Sequence, residues 1–184
     1  MAISAERQPT LKPVDIVVAL QLTIAPDSTF SVLATAVGVS HGEAHNSFGR
    51  LRASRLTRPE QRAISTQRLL SFIISGVPVA FPAIFGPESR GVPTAHSAVP
   101  FRPHVAFDDE PLVWADVDGS TRGTTIIPLF PRAPALSRTN VPLYELLTLV
   151  DSIRIDRSTE TATAIRLLSE RLTPGTGGFE GIGP

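Results

Sequence analysis

Residues 31–56 read SVLATAVGVSHGEAHNSFGRLRASRL, and this stretch decides the fold expected for the first part of the chain. A helix is predicted from about Ser31 to Val37, and Gly38 supplies the left-handed residue that ends it. Ser40 caps a second helix, and Glu43, three positions later, completes a capping box. The stretch therefore predicts two helices joined by a tight turn.

Two further helices are predicted on either side of this stretch. Pro13 suits the first turn of a helix, and the apolar residues behind it continue to Leu22, before Pro26 ends the pattern. A fourth helix is predicted over Thr66–Ser75 from its apolar residues. Residues 1–76 are therefore expected to be a four-helix unit.

The helix predicted over residues 40–53 has two distinct faces. Ala44, Phe48 and Leu51 follow one another at i, i+4 and i+7, which places them on one apolar stripe facing the core. The opposite face carries small, polar and basic side chains: His41, Gly42, His45, Asn46, Gly49 and Arg50. This second face is available to a partner.

The segment Leu33–Ser40, continued by Ala44, Phe48 and Leu51, resembles the winged helix-turn-helix of bacterial transcription regulators. The resemblance covers about residues 12–64 and implies a short wing within Leu56–Ile64. It also implies that helix 40–53 enters the major groove of double-stranded DNA.

The resemblance places base contacts at Asn46 and Arg50, whose side chains match the edges of adenine and guanine. Arg52, Arg55 and Arg58 are expected nearer to phosphates. The full set of expected DNA-binding residues is Ser40, His41, Gly42, His45, Asn46, Gly49, Arg50, Arg52, Arg55 and Arg58.

Charge is distributed unevenly along a chain whose formal net charge is zero. Residues 1–76 carry eight Lys or Arg against five acids, and residues 77–184 carry nine Arg against twelve acids. Six of the first eight cations fall between residues 50 and 68. The pattern favours a local basic patch for nucleic acid over a uniformly basic coat protein.

Residues 77–184 are expected to form an α+β extension. Ten of the seventeen prolines lie between Pro78 and Pro134, which indicates a proline-rich connection with extended segments over 77–83 and 91–98. A β-hairpin is predicted from strands 112–117 and 124–130 around an Asp118-Gly119 turn, followed by two C-terminal helices that begin after Asn140 and at Ser158. The expected domains are 1–76 for DNA, 77–172 for dimerisation or for a ligand or protein partner, and 173–184 as a flexible tail.

Two patterns raise the question of catalysis or metal binding. His41 and His45 stand at the i, i+4 spacing of a zinc pair, but no third ligand is evident, and surface or DNA-facing histidines are the better account. Asp116 and Asp118 are similar to the first motif of the haloacid-dehalogenase phosphatases, yet too few residues follow them for that fold, and a turn explains them better. With no Cys and no phosphate-loop motif, we expect no enzyme, no metal and no cofactor.

The sequence therefore predicts an α+β protein in which a winged helix-turn-helix is followed by a proline-rich segment, a β-hairpin and two helices. The expected function is a sequence-specific transcription regulator, a homodimer joined through the two C-terminal helices. The alternative is a protein–protein interaction module, such as an antitoxin-like partner-binding protein, whose helix-turn-helix reads no DNA. No run of 18 apolar residues and no signal peptide are present, so a cytoplasmic location without membrane contact is expected.

Overall fold

A computed structural model describes residues 10–59, 62–101, 104 and 110–173. The chain divides into two compact units, which we call unit 1 (Met1–Ser65) and unit 2 (Thr66–Pro184). Both helices and strands are present, so the expected α+β class is confirmed. The tail predicted over 173–184 lies outside the described residues, apart from Thr173.

The described part of unit 1 contains three helices, which are α1 (Pro13–Ile24), α2 (Phe30–Val37) and α3 (His41–Ala53). Gly38 and Ser40 end α2 and cap α3 as the sequence predicted, whereas the Glu43 side chain accepts a hydrogen bond from Arg50 and does not complete the predicted capping box. Gly38 follows α2 with φ 81° and ψ 36°, the left-handed conformation expected of it. At the start of α3, the Ser40 hydroxyl accepts a hydrogen bond of 3.1 Å from the backbone N–H of Glu43.

The core of unit 1 is centred on α1, in which every residue from Asp15 to Leu22 is buried. From α3, the buried residues are Ala44, Ser47 and Leu51, whereas Phe48 is only partly buried. The stripe that faces the core is therefore 44/47/51, where the sequence predicted 44/48/51. The reason is that Ser47 has a buried hydrogen-bond partner on α1, described below.

The segment after α3 turns back on itself within a few residues. Arg55 adopts a left-handed conformation with φ 59°, and the Leu56 N–H bonds to the carbonyl of Leu51, as at many helix ends. Thr57 and Ile64 then form an isolated antiparallel bridge. The Arg58 N–H also bonds to the carbonyl of Ala63 at 2.8 Å, so the chain is drawn together a few residues after the end of α3.

Unit 2 begins with a helix that the sequence assigned to the first domain. Its elements are α4 (Thr66–Ser75), α5 (Val77–Ala80), β1 (Phe85–Pro93), β2 (Leu112–Ala115), β3 (Thr121–Ile126), α6 (Ala133–Thr139), α7 (Val141–Ile155) and α8 (Ser158–Leu172). Helix α4 packs on α5, α7 and α8, so the boundary falls at residue 65 and not at 76. Residues 77–80, expected to be extended, are helical because Pro78 is tolerated in a first turn.

The predicted β-hairpin does not form, although both of its strands are present. Strands β2 and β3 each pair antiparallel with β1 and run parallel to one another, which closes a three-stranded barrel. Three glycines allow this close packing, since a Cβ at Gly91, Gly119 or Gly123 would collide with the backbone of Trp114, Gly91 or Pro111 respectively. The hairpin prediction was wrong because residues 85–90, most of the strand with which both β2 and β3 pair, lie between the two extended segments predicted over 77–83 and 91–98.

Helix α7 supplies the centre of the unit 2 core. Its leucines at 143, 146, 147 and 149 are buried, as are Val150 and Ile153. It packs against α5, α6 and α8. The apolar stripe expected to join two copies of the chain is therefore core within one chain. None of the described helices is long and apolar enough to cross a membrane.

Candidate nucleic-acid interface

The outer face of α3, defined as His41, Gly42, His45, Asn46 and Gly49, is exposed along its whole length. This agrees with the helical register predicted from the sequence. His45, Asn46, Gly49 and Arg50 line a shallow surface depression. Ser40, at the start of the helix, is also exposed, but its hydroxyl is already occupied as the helix cap.

The structure gives Arg50 a different position from the other residues of the predicted set. Its guanidinium contacts Asp15 on α1, through Nε at 2.8 Å and Nη2 at 2.7 Å, and its Nη2 also donates to Glu43 at 2.6 Å. Only 17% of the Arg50 side chain is exposed, and Asp15 is completely buried. The hydrogen bond to Asp15 is the main cause that raises the pKa of Arg50 above its ordinary value.

Most of the hydrogen-bond donors of Arg50 are already used within the protein. A guanidinium has five N–H donors, and those of Nε and Nη2 are taken by the two carboxylates. Only Nη1 lacks a partner within the described part of the chain, so the two-nitrogen fork that recognises guanine is not available. Two negative charges also outweigh the single positive charge. Arg50 therefore holds α3 against α1 instead of presenting a cation on its surface.

Ser47 completes the same network from the buried side of α3. Its hydroxyl donates a hydrogen bond of 2.6 Å to Asp15 Oδ1. The backbone N–H of Lys12 donates to Asp15 Oδ2 at 2.8 Å. Each carboxylate oxygen is thus satisfied, which a completely buried carboxylate requires. Asp15, which the sequence reading left unassigned, fixes the position of α3.

A second contact missed from the sequence lies at the other end of α3. The Phe30 ring meets the rings of His41, His45 and Phe48 edge-on, with centroid distances of 6.1, 5.1 and 5.8 Å. We call these four side chains the aromatic cluster. The Arg62 guanidinium lies over the Phe30 ring, 4.0 Å from its centroid. The turn after α3 is therefore attached to α2 and α3 by a cation–π contact.

Three arginines predicted to approach phosphates, Arg52, Arg55 and Arg58, are exposed at the end of α3 and just beyond it. Arg55 occupies a left-handed position, which costs a non-glycine residue about 1–2 kcal/mol. The chain therefore has an arginine at a position whose backbone conformation favours glycine. The described part of unit 1 holds six basic and three acidic side chains, and two of those acids are paired with Arg50.

The other patterns considered for chemistry have structural roles. Asp116 accepts hydrogen bonds from the Asp118 backbone N–H at 2.9 Å and from Arg138 at 3.0 Å. The first of these is the largest cause that lowers the pKa of Asp116, which keeps it ionised and unsuited to donating a proton. His41 and His45 both lie against Phe30, and no group of three metal-ligating side chains exists among the described residues.

Residues 90–97, the end of β1 and the residues just after it, are packed against α7. Thr94 donates to Asp151 on α7 at 2.9 Å, and Trp114 donates to the same carboxylate at 2.6 Å. Arg154 pairs with Asp151 and also donates to the carbonyl of Phe81. Complete burial raises the pKa of Asp151, against the opposing effect of Arg154. This buried network holds the small barrel on α7.

Comparison of the chain with family models, with curated proteins and with solved structures finds no match. The function must therefore be argued from the residues themselves.

Proposed function

We propose that unit 1 is a winged helix-turn-helix that binds double-stranded DNA with the outer face of α3 in the major groove. The protein is then a sequence-specific transcription regulator, acting in the cytoplasm as a homodimer. Helices α2 and α3 with the turn at Gly38 support the helix-turn-helix, and the Thr57–Ile64 bridge supports the short wing.

The observation that carries the proposal is the pair of glycines on the outer face of α3. Gly42, in the first turn of α3, and Gly49, in its interior, are exposed, and a Cβ added at either position would meet no atom within 4 Å. Glycine in a helix interior, as at Gly49, costs about 1 kcal/mol relative to alanine. Nothing within the described chain requires these glycines. A partner whose atoms approach the helix backbone closely, such as the edge of a base pair, does require them.

The remaining roles follow from position along α3. His45 and Asn46 lie between the two glycines, where their polar atoms reach base edges. Arg52, Arg55 and Arg58 lie beyond them and bind phosphates, which adds affinity without sequence information. Arg50 orients the helix through Asp15 and contributes little charge to the interface.

The experiment is an equilibrium binding measurement with the promoter region of the protein's own gene, using Asn46→Ala and Gly49→Ala. Asn46→Ala is expected to weaken binding by about 1–3 kcal/mol and to relax the preference at one base pair. Gly49→Ala is expected to stabilise free α3 while weakening DNA binding, because the added methyl group occupies the contact surface. Arg166→Ala, an exposed arginine on α8, is the control and should change neither quantity. Equal, purely salt-dependent binding by all variants would refute sequence-specific recognition.

One observation favours the alternative, a protein–protein interaction module. The centre of the α3 surface carries little net positive charge, because Asp15 and Glu43 together outweigh Arg50. A shallow, nearly neutral depression with glycines also suits the close approach of another polypeptide. Wild-type protein that binds no duplex even at low salt would favour this alternative.

Because the apolar stripe of α7 is buried within one chain, a homodimer requires an apolar surface that is exposed. Ile84, Phe85 and Ile127 are 54%, 48% and 55% exposed, and the Ile127 N–H bonds to the carbonyl of Ile84, so these residues are neighbours. We propose this patch as the homodimer contact. Residues 77–172 also remain our proposed location for any ligand or protein partner that the regulator senses.

A further inference from the structure

Arg62 and Arg50 make different kinds of contact. The Nε and Nη2 atoms of Arg50 donate hydrogen bonds to carboxylates. Arg62 instead lies over an aromatic ring, with its Cζ atom 4.0 Å from the centroid of Phe30 and 5.8 Å from that of Phe48. A cation–π contact of this kind places the guanidinium without pairing its charge to a carboxylate.

The in-plane donors of Arg62 have no hydrogen-bond or ion-pair partner within the described residues. Arg62 is nevertheless exposed, and its position is restricted by the ring beneath it. Two of the three described carboxylates of unit 1 are paired with Arg50, and the third, Asp27, is exposed. Among the described residues of unit 1, no carboxylate is therefore paired with the positive charge of Arg62.

The position of Arg62 places this charge beside the proposed DNA surface. The Phe30 ring that supports it also contacts His41 and His45, two residues of the outer face of α3. An anion that approaches the first half of α3 therefore comes close to the edge of Arg62. Phosphate matches this edge well, because two parallel N–H groups donate to two phosphate oxygens.

We propose that Arg62 binds a phosphodiester group of duplex DNA, and that Phe30 is the positioning residue that orients its guanidinium. This inference rests on the proposed function and adds a residue that the sequence reading did not include in the site. It assigns the two arginines opposite tasks: Arg50 positions α3, and Arg62 contacts the nucleic acid.

The test is a double-mutant cycle on the full chain, with a random-sequence 30-base-pair duplex as the probe and affinity measured across a range of salt. Arg62→Ala is expected to weaken binding about tenfold and to reduce the slope of log affinity against log salt by about 0.9. Arg62→Lys should keep that slope and lose part of the affinity, because the charge remains without the planar fork. Phe30→Leu should cost about threefold when Arg62 is present and nothing further in the Arg62→Ala background.

Thermal melts of each variant show whether folding accounts for any loss, and Arg166→Ala controls for removing a distant exposed arginine. If the wild-type protein binds the duplex and Arg62→Ala leaves the salt slope unchanged, the phosphate contact is refuted while the proposed function stands. An equal effect of Phe30→Leu in both backgrounds would refute the positioning role. Wild-type protein that binds no duplex at low salt would overturn the proposed function, and the Arg62 contact with it.

Discussion

Removal of the Asp15 carboxylate is the most direct perturbation of the contact between α1 and α3. Asp15 is completely buried and accepts hydrogen bonds from Ser47, from the Lys12 backbone and from two nitrogens of Arg50. Asp15→Ala leaves the Ser47 hydroxyl without an acceptor and leaves Arg50 with Glu43 alone. Breaking a buried ion pair on one side costs about 3–5 kcal/mol. Because Arg50 keeps 17% exposure and one partner, the lower end, about 3 kcal/mol, is expected.

The assay is urea unfolding of the full chain followed by circular dichroism at a helical wavelength and by tryptophan fluorescence. The chain has one tryptophan, Trp114, which lies in unit 2, so its fluorescence reports on that unit. The circular dichroism signal also includes α1, α2 and α3. In Asp15→Ala these helices should unfold at a lower urea concentration than in the wild-type protein. Asp27→Ala removes an exposed carboxylate of the same unit and should change the free energy of unfolding by less than about 0.5 kcal/mol.

A double variant separates the pair from general disruption of the core. Asp15→Ala with Arg50→Met removes both charges, and it should be about 1–2 kcal/mol more stable than Asp15→Ala alone, because no largely buried guanidinium that has lost its main partner remains. If Asp15→Ala is no more destabilising than Asp27→Ala, the reasoning that assigns Arg50 to the protein interior is refuted.

Three further predictions concern unit 2. Asp151→Asn keeps hydrogen-bonding atoms but leaves the buried charge of Arg154 unpaired, so a loss of about 3 kcal/mol is expected in the unfolding transition followed by Trp114 fluorescence; no shift would contradict the network. The pKa of Asp116 is lowered, so its ionised form stabilises the fold above the unfolded pKa of about 3.9 and this stabilisation is lost as pH falls through the lower folded pKa. Asp116→Asn should therefore melt with a weaker dependence on pH below about 4, and an unchanged pH profile would count against it. Phe85→Ser, a change at a half-exposed site, should shift the sedimentation coefficient from dimer to monomer without lowering the melting temperature, whereas an unchanged dimer would eliminate this patch as the contact.

Local signals in the sequence were sufficient to place α1 to α4, α7 and α8, whereas α5 was expected to be extended and α6 was not predicted. Proline in a first turn, Gly38 after α2 and Ser40 before α3 act on backbone groups within four residues of themselves. The outer face of α3 followed from the same helical period, so exposed His45, Asn46 and Gly49 were identified correctly as surface residues. The three-stranded barrel was not, because its pairings join residues that are far apart in the chain and depend on glycines that admit a second backbone.

The sequence by itself determined that residues 31–56 form two helices around a tight turn, with a polar face and arginines near the end. Only the tertiary structure decided what each arginine does. Arg50 is tied to Asp15, 35 positions earlier, and Arg62 is stacked on Phe30. Helical periodicity reports the direction in which a side chain leaves its own helix. Whether that side chain meets a carboxylate or an aromatic ring depends on another segment of the chain. The tertiary contact therefore decides which cation remains available to a partner.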